Sequence, residues 1–400
     1  MARAANPTTA SGVAKHAASR ARARDLGIPL PGTPGPLNAI TDVAGVEVGH
    51  ATLIEGDGRL IVGKGPVRTG VTAILPRGKE SQDPVFAGCA VLNGNGEMTG
   101  TAWIEESGFL SGPIMITNTH SVGVVRDAVV AWLALRNPRL TWALPVVAET
   151  FDGILNDING FHVKKEHAFA ALDNACSGPV AEGNAGGGTA MICHEFKGGI
   201  GTSSRVLGPS QGGHTVGVLC QCNHGRRRDL TIAGVAVGSE IRELMPCYDG
   251  DSPPEREWLR DMLPRCGEAA KSETPAGRGS IIVVVATDAP LLPHQLKRLA
   301  RRTALGLALV GGRGHNDSGD LMIAFSVANP GAADPARKAR LTMLSNESID
   351  ALFVATIEAT EEAIVNAMLA AETMTGADRV CVHALPHHRL VEILKRYNRL

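Results

Sequence analysis

Gly279-Ser280 stands directly before the apolar run Ile281-Ile282-Val283-Val284-Val285-Ala286, and a hydroxyl at such a junction can cut its own chain. Glycine leaves the backbone free to adopt the strained turn that brings the Ser280 hydroxyl onto the carbonyl of residue 279. An N-to-O acyl shift followed by hydrolysis would make Ser280 a new amino terminus. Its α-amine, with an ordinary pKa of about 7.7 to 8.0, would then be a general base beside its own hydroxyl. Taken alone, the dipeptide is ordinary turn chemistry. The polar stretch before it, Cys247 to Arg278, reads as a mobile connection that opens without tearing a core.

Other groups have the chemistry to assist. Ser318 and Asp320 precede the apolar run from Leu321 to Phe325. If that strand begins by Ser318, the two project to one side, where both reach a nucleophile; an Asx-rich hairpin loop has the same composition. The alternating run His214 to Cys222 ends at Asn223. A strand-end amide either caps a turn or meets a developing oxyanion, a contact worth roughly 3 to 4 kcal/mol. Glu149 comes just past the apolar Pro145 to Ala148, placed for a substrate ammonium or for an ordinary strand-end cation.

The glycine-rich stretches 93–100 and 183–189 match neither dinucleotide nor nucleoside-triphosphate patterns, so close backbone approach around a pocket or turn is their expected use. His383 and His387 have i, i+4 spacing, with His388 following, but Pro386 interrupts the interval. No metal and no cofactor is expected.

These groups need strands to hold them. Short strands are expected at 40–54, 67–76, 85–92, 113–118, 143–148, 198–207, 214–222, 230–238, 280–287 and 320–328. Helices are expected at 121–135, 292–307, 348–374 and from Pro386 to Leu400. Blocks of strands alternating with amphipathic helices give an α/β (α+β) protein, two stacked sheets covered by helices in a four-layer αββα sandwich. With 44% hydrophobic residues, 20–400 are expected to form a single domain behind a disordered extension, 1–19.

Charge is balanced, 39 Lys and Arg against 40 Asp and Glu, which excludes a general nucleic-acid surface. The run Arg226-Arg227-Arg228 is expected on a solvated face or in intersubunit salt bridges. Eight scattered cysteines read as reduced core residues, with Cys220 and Cys222 packing on one strand face. The basic, alanine-rich first twenty residues contain neither a signal peptide nor a membrane span, so the expected location is cytoplasmic.

Six stretches together resemble one family: 19–22 (Ser-Arg-Ala-Arg), 35–43, 92–100, 116–123, 193–202 and Gly279-Ser280. They are similar to the DmpA/BapA-type self-processing aminopeptidases, which include L-aminopeptidase/D-esterases and β-aminopeptidases. The resemblance implies an αββα fold like that of amino-terminal-nucleophile hydrolases with different connectivity, cleavage between Gly279 and Ser280, and a homotetramer of processed pairs. It implies Ser280 as nucleophile, Ser318 and Asp320 as partners in proton handling, Asn223 as oxyanion donor and Glu149 as anchor for the substrate amino group. Small peptides, amides or esters are the implied substrates.

Two positions depart from the family pattern. Relatives often carry Glu where Asp320 stands, and some carry a Tyr where Phe151 stands, whose hydroxyl helps the oxyanion site. Two other readings accompany this one: an ornithine acetyltransferase-like acyl transferase, expected to expose Thr rather than Ser, and a non-catalytic binding protein of the same fold.

Overall fold

Strand Gly279–Thr287 carries isoleucine and valine on both of its faces, and both are buried. Such a strand needs a packed layer on each side. The computed structural model, which describes residues 21–268, 279–336 and 338–400, supplies those layers. The expected extension 1–19 and the last part of the connection, 269–278, lie outside the described residues.

Nine strands longer than three residues are described: β1 (Glu47–Glu55), β2 (Val67–Leu75), β3 (Val85–Gly94), β4 (Ile114–Asn118), β5 (Val146–Thr150), β6 (Gly199–Val206), β7 (Thr215–Asn223), β8 (Gly279–Thr287) and β9 (Ser318–Ser326). One sheet has the order β1-β2-β4-β5. The other runs from a two-residue strand, Phe109–Leu110, through β3-β9-β8-β7-β6. In the second sheet β8 is parallel to β9 and antiparallel to β7.

Alternation along each strand sorts the side chains into three cores. Ile282, Val284 and Ala286 of β8 meet Ile114, Ile116 and Val146 of the first sheet between the sheets. Ile281, Val283 and Val285 face the helices α3 (Pro293–Leu309) and α4 (Asp350–Ala370), among Leu296, Leu299, Ala359 and Ala363. On the far side, Val71, Met115 and Val147 pack against α1 (Val122–Arg136) and α2 (Lys165–Asp173). The layer order is therefore α1/α2, sheet, sheet, α3/α4. Glycine makes one of these contacts possible: a Cβ at Gly201 would lie 1.9 Å from the Ala363 carbonyl oxygen of α4.

Several expectations need correction. Residues 230–238 form no strand: Ile232 and Val235 close a tight turn, and Val237–Glu240 is a helical turn. The longest helix stops at Ala370, and Met374–Thr375 is a short strand. Cys247 and Cys266 are joined in a disulfide. The part of the connection up to residue 268 is accordingly anchored. It holds the helix Glu257–Met262 and packs Leu259 and Leu263 with Leu155, Val380 and Val382.

Candidate active site

Ser280 is the second residue of β8, so alternation turns it to the side of Ile282 and Val284, into the mouth of the layer between the sheets. β9 lies on one side of it and β7 on the other: Ser280 is opposite Gly319 and opposite Asn223. The Gly319 N–H donates to Ser280 Oγ at 3.1 Å. Asn223 shares this face. Its Oδ1 accepts from the Ile192 N–H at 2.8 Å, and its Nδ2 donates to the Phe151 carbonyl at 3.0 Å. An amide nitrogen carries two hydrogens, so one N–H of Asn223 is left beside Ser280.

Gly279 differs from its expected role. It is the extended first residue of β8 and is absent from the left-handed residues. What requires glycine is close approach, because a Cβ here would lie 2.4 Å from the Asn223 carbonyl oxygen and 2.8 Å from His224 Cα.

β9 does begin at Ser318, and Ser318 Oγ donates to Asp320 Oδ2 at 2.6 Å. The pair shares the face of Met322 and Ala324, toward the helices, opposite to the face of the Ser280 side chain. Asp320 instead meets the backbone N–H of Ile281. The carboxylate thus reaches the start of β8 at the residue that follows Ser280. Burial raises the Asp320 carboxyl above its ordinary range, against the lowering effect of Ser318, His224, Ile281 and His315.

Glu149 lies within β5, one residue before its end, rather than just past the strand. Its Oε1 accepts from the Glu97 N–H at 3.0 Å and its Oε2 from the Thr119 hydroxyl. Burial raises its pKa above 4.5, the two hydrogen bonds partly offsetting this. Gly96 lets the loop after β3 close over it, since a Cβ there would lie 3.1 Å from Glu149 Oε1 and 3.2 Å from Gly319 Cα. The expected pocket role of residues 93–100 is what these contacts describe.

Ser280, Asn223, Glu149 and Phe151 all line one pocket of about 1160 Å³. Phe151 is 40% exposed, with its ring 6.5 Å from that of Trp258. Met245, Pro246, Trp258, Leu259, Met262 and Leu263 form an apolar wall that the Cys247–Cys266 bond ties together. The arginine run is a solvated face only at its ends, with Arg228 exposed and Arg226 half-buried. Arg227 is buried, stacks over Phe196 and donates to backbone carbonyls of His194, Glu195, Ile241, Glu243 and Leu244, while Arg226 and Arg228 line the pocket.

One group went unrecognised in the sequence. Among the described residues, Cys193, His194 and His224 have the donors for a metal, with one donor atom from each within 4.8 Å of the others, all buried. His194 Nδ1 faces the Arg226 carbonyl at 2.9 Å, leaving its Nε2 without a partner, and His224 Nδ1 also has none. Burial by itself would raise the Cys193 thiol; the Cys222 thiol and the imidazoles of His224 and His194 outweigh it and hold Cys193 well below the usual thiol range. The signal available was alternation, which puts Cys222 and His224 on one strand face. The expected non-site behaves otherwise: the His387 ring nitrogen faces the Leu369 carbonyl at 2.9 Å, and His383 lies 3.9 Å from Cys247 Sγ.

Two sheets face to face between helical layers, with a strand-initial serine at the mouth of the inner layer, define an amino-terminal-nucleophile hydrolase fold in a variant connectivity. Residues 38–382 match the model of peptidase family S58, and the chain belongs to that family of aminopeptidases. It is 54% identical over 380 residues to the β-peptidyl aminopeptidase BapA of Sphingosinicella microcystinivorans, covering 95% of this chain and 93% of that one. The BapA of Sphingosinicella xenopeptidilytica is 49% identical over 379 residues, covering 94% and 91%. Among solved structures, the L-aminopeptidase D-Ala-esterase/amidase of Ochrobactrum anthropi, described as a new variant of the same fold, is similar at a TM-score of 0.83 and 48% identity, with coverage of 95% and 99%.

Proposed function

We propose that the chain is a self-processing serine aminopeptidase/amidase, cut between Gly279 and Ser280 into 20–279 and 280–400, that releases small amino-terminal residues through an acyl-enzyme on Ser280. Ser280 Oγ attacks the carbonyl carbon of the first residue. The freed Ser280 α-amine takes the hydroxyl proton and passes it to the leaving amine. Water then attacks the ester and regenerates the hydroxyl. The remaining Asn223 N–H meets the oxyanion, and Glu149 pairs with the substrate ammonium. Ser318 and Asp320 act on the α-amine from the opposite face of the strand, holding it and tuning its proton.

The observation that carries this reading is the placing of Ser280 between Gly319 and Asn223 at the pocket mouth, with Glu149 lining the same pocket. Phe151 contributes its carbonyl to hold Asn223, and its ring has no hydrogen to donate, so the oxyanion contacts come from Asn223 and backbone N–H groups. Small L-, D- or β-residues in peptide, amide or ester linkage are the proposed substrates, following the activities for which the relatives are named. A homotetramer of processed pairs is the proposed assembly.

Cytoplasmic residence is also proposed. The Cys247–Cys266 bond is the observation against it, since such bonds persist mainly in oxidising compartments. Among the described residues no helix is long and apolar enough to cross a membrane. Fractionation of producing cells decides the location.

The test compares the wild type with Ser280→Ala by intact mass and fluorophosphonate labelling. The wild type is expected as a piece ending at Gly279 and a labelled piece beginning at Ser280, and the variant as one unlabelled chain. An unbroken wild-type chain that still hydrolyses aminoacyl p-nitroanilides refutes the mechanism.

A further inference from the structure

The pocket is electrically polar across the sheet. Toward β9 the lining is acidic: Asp317 stands just before β9, and Glu97 is in the loop after β3, which also meets Glu149 of the facing sheet and Gly319 of β9 at Gly96. On the β7 side, where the chain runs on from Asn223, the lining carries Arg226, Arg228 and Arg242, with Glu195 on the same wall. Glu195 is engaged, accepting from the Arg227 N–H at 2.8 Å. Because β8 lies between β9 and β7, the acidic and basic walls flank the hydroxyl on opposite sides.

Among the described residues, Arg226 has no acidic partner, and Arg242 has only the electrostatic influence of Glu240 two residues before it, with no ion pair. Arg226 Nε is buried without an acceptor, and Arg242 donates from Nε to the Ser239 carbonyl at 3.1 Å. A buried guanidinium N–H without an acceptor is costly, so a cation held there awaits one. Arginine is suited to the forked recognition of a carboxylate.

We propose that Arg226 and Arg242 form a carboxylate subsite for the free carboxy terminus of the leaving group, so that dipeptides and tripeptides are selected over the corresponding amides. The inference rests on the function proposed above. A substrate with its ammonium at Glu149 and its scissile carbonyl at Ser280 directs its leaving group toward β7. Backbone dimensions put the terminal carboxylate of a dipeptide about 4 Å from the scissile carbon, and that of a tripeptide about 7 Å. Arg226 is three residues past Asn223, within about 10 Å along the chain, and its side chain shortens the gap. An amide in the same position leaves the guanidinium with no anion, and the discrimination follows from that difference.

The experiment uses processed wild-type enzyme with β-alanyl-leucine, its carboxy-terminal amide and β-alanyl p-nitroanilide. The acid is expected to exceed the amide in kcat/KM by about tenfold or more, the scale of one charge-assisted contact. Arg226→Gln and Arg242→Gln should each bring this ratio toward one, whatever common factor both substrates lose, and Arg242→Lys should keep part of it. Leucine should also inhibit p-nitroanilide hydrolysis more strongly than leucinamide, a comparison that needs no variant. A wild-type ratio at or below one, or a ratio both glutamine variants leave intact, overturns the subsite. Failure of the wild type to hydrolyse the p-nitroanilide overturns the aminopeptidase mechanism instead.

Discussion

Adding one methyl group at Gly279 separates maturation from turnover. In the unbroken chain, the Cβ of Gly279→Ala would lie 2.4 Å from the Asn223 carbonyl oxygen and 2.8 Å from His224 Cα. Ordinary contacts between such atoms are about 3.5 Å, so β7 and β8 must part by about 1 Å at the rung that joins Asn223 to Ser280. A displacement of about 1 Å in a reacting geometry costs on the order of 100-fold in rate, or about 2.7 kcal/mol. Cleavage should therefore slow by about that factor, measured as appearance of the piece beginning at Ser280 in freshly purified precursor.

Once cut, residue 279 is a chain end and is free to leave the strand. Turnover per active site, counted by fluorophosphonate titration, should then return to near the wild-type value. Maturation at the wild-type rate would refute the close-approach account of Gly279. Slow maturation with an equal loss per titrated site would refute the claim that the methyl acts only on the precursor.

Glu149→Gln should raise KM for substrates with a free amino group by about ten- to a hundredfold, the scale of a charge-assisted hydrogen bond, with a smaller change in kcat. Burial raises the Glu149 carboxyl, so in the wild type 1/KM should fall as pH drops through a value above 4.5, and the variant should lack that limb. An unchanged KM would remove Glu149 from ammonium binding. Asp152 is buried and raised from 3.8 to about 6, mainly by burial, though Asn118 and Asn156 both donate to it. Its neutral form is favoured in the fold, so its contribution is full below pH 3.8 and is lost as pH rises to about 6. Asp152→Asn should then stabilise the protein at pH 7 by up to about 3 kcal/mol and make little difference at pH 4, read as Tm at both. Cys266→Ser opens the loop carrying Trp258, Leu259 and Met262. It should cost about 3 kcal/mol and raise KM for substrates with large apolar side chains, and an unchanged Tm would count against the bond as a fastener of the pocket wall.

How much of this was legible varies by element and for identifiable reasons. The long apolar strands and the helices α1, α3 and α4 follow from periodicity, because a side chain's face is fixed by its position along one element. The 230–238 run has strand composition, yet Ile232 and Val235 face each other across a turn, which no local pattern reports. The disulfide was hidden for a similar reason, since the two cysteines lie 19 positions apart and only a folded wall brings them together.

The sequence by itself determined the chemistry: a hydroxyl after glycine at the head of a buried strand, a Ser and an Asp two apart, an Asn at a strand end, and the family these belong to. Those are properties of neighbours along the chain. Only tertiary structure decided which groups meet. It turned Ser318 and Asp320 to the face opposite the Ser280 side chain and put Arg226 and Asp317 on opposite flanks of Ser280. It also made Gly279 a matter of clearance rather than of strain. The reason is strand order: which strand lies beside which is fixed by packing two sheets and two helical layers at once, and no single segment carries that information.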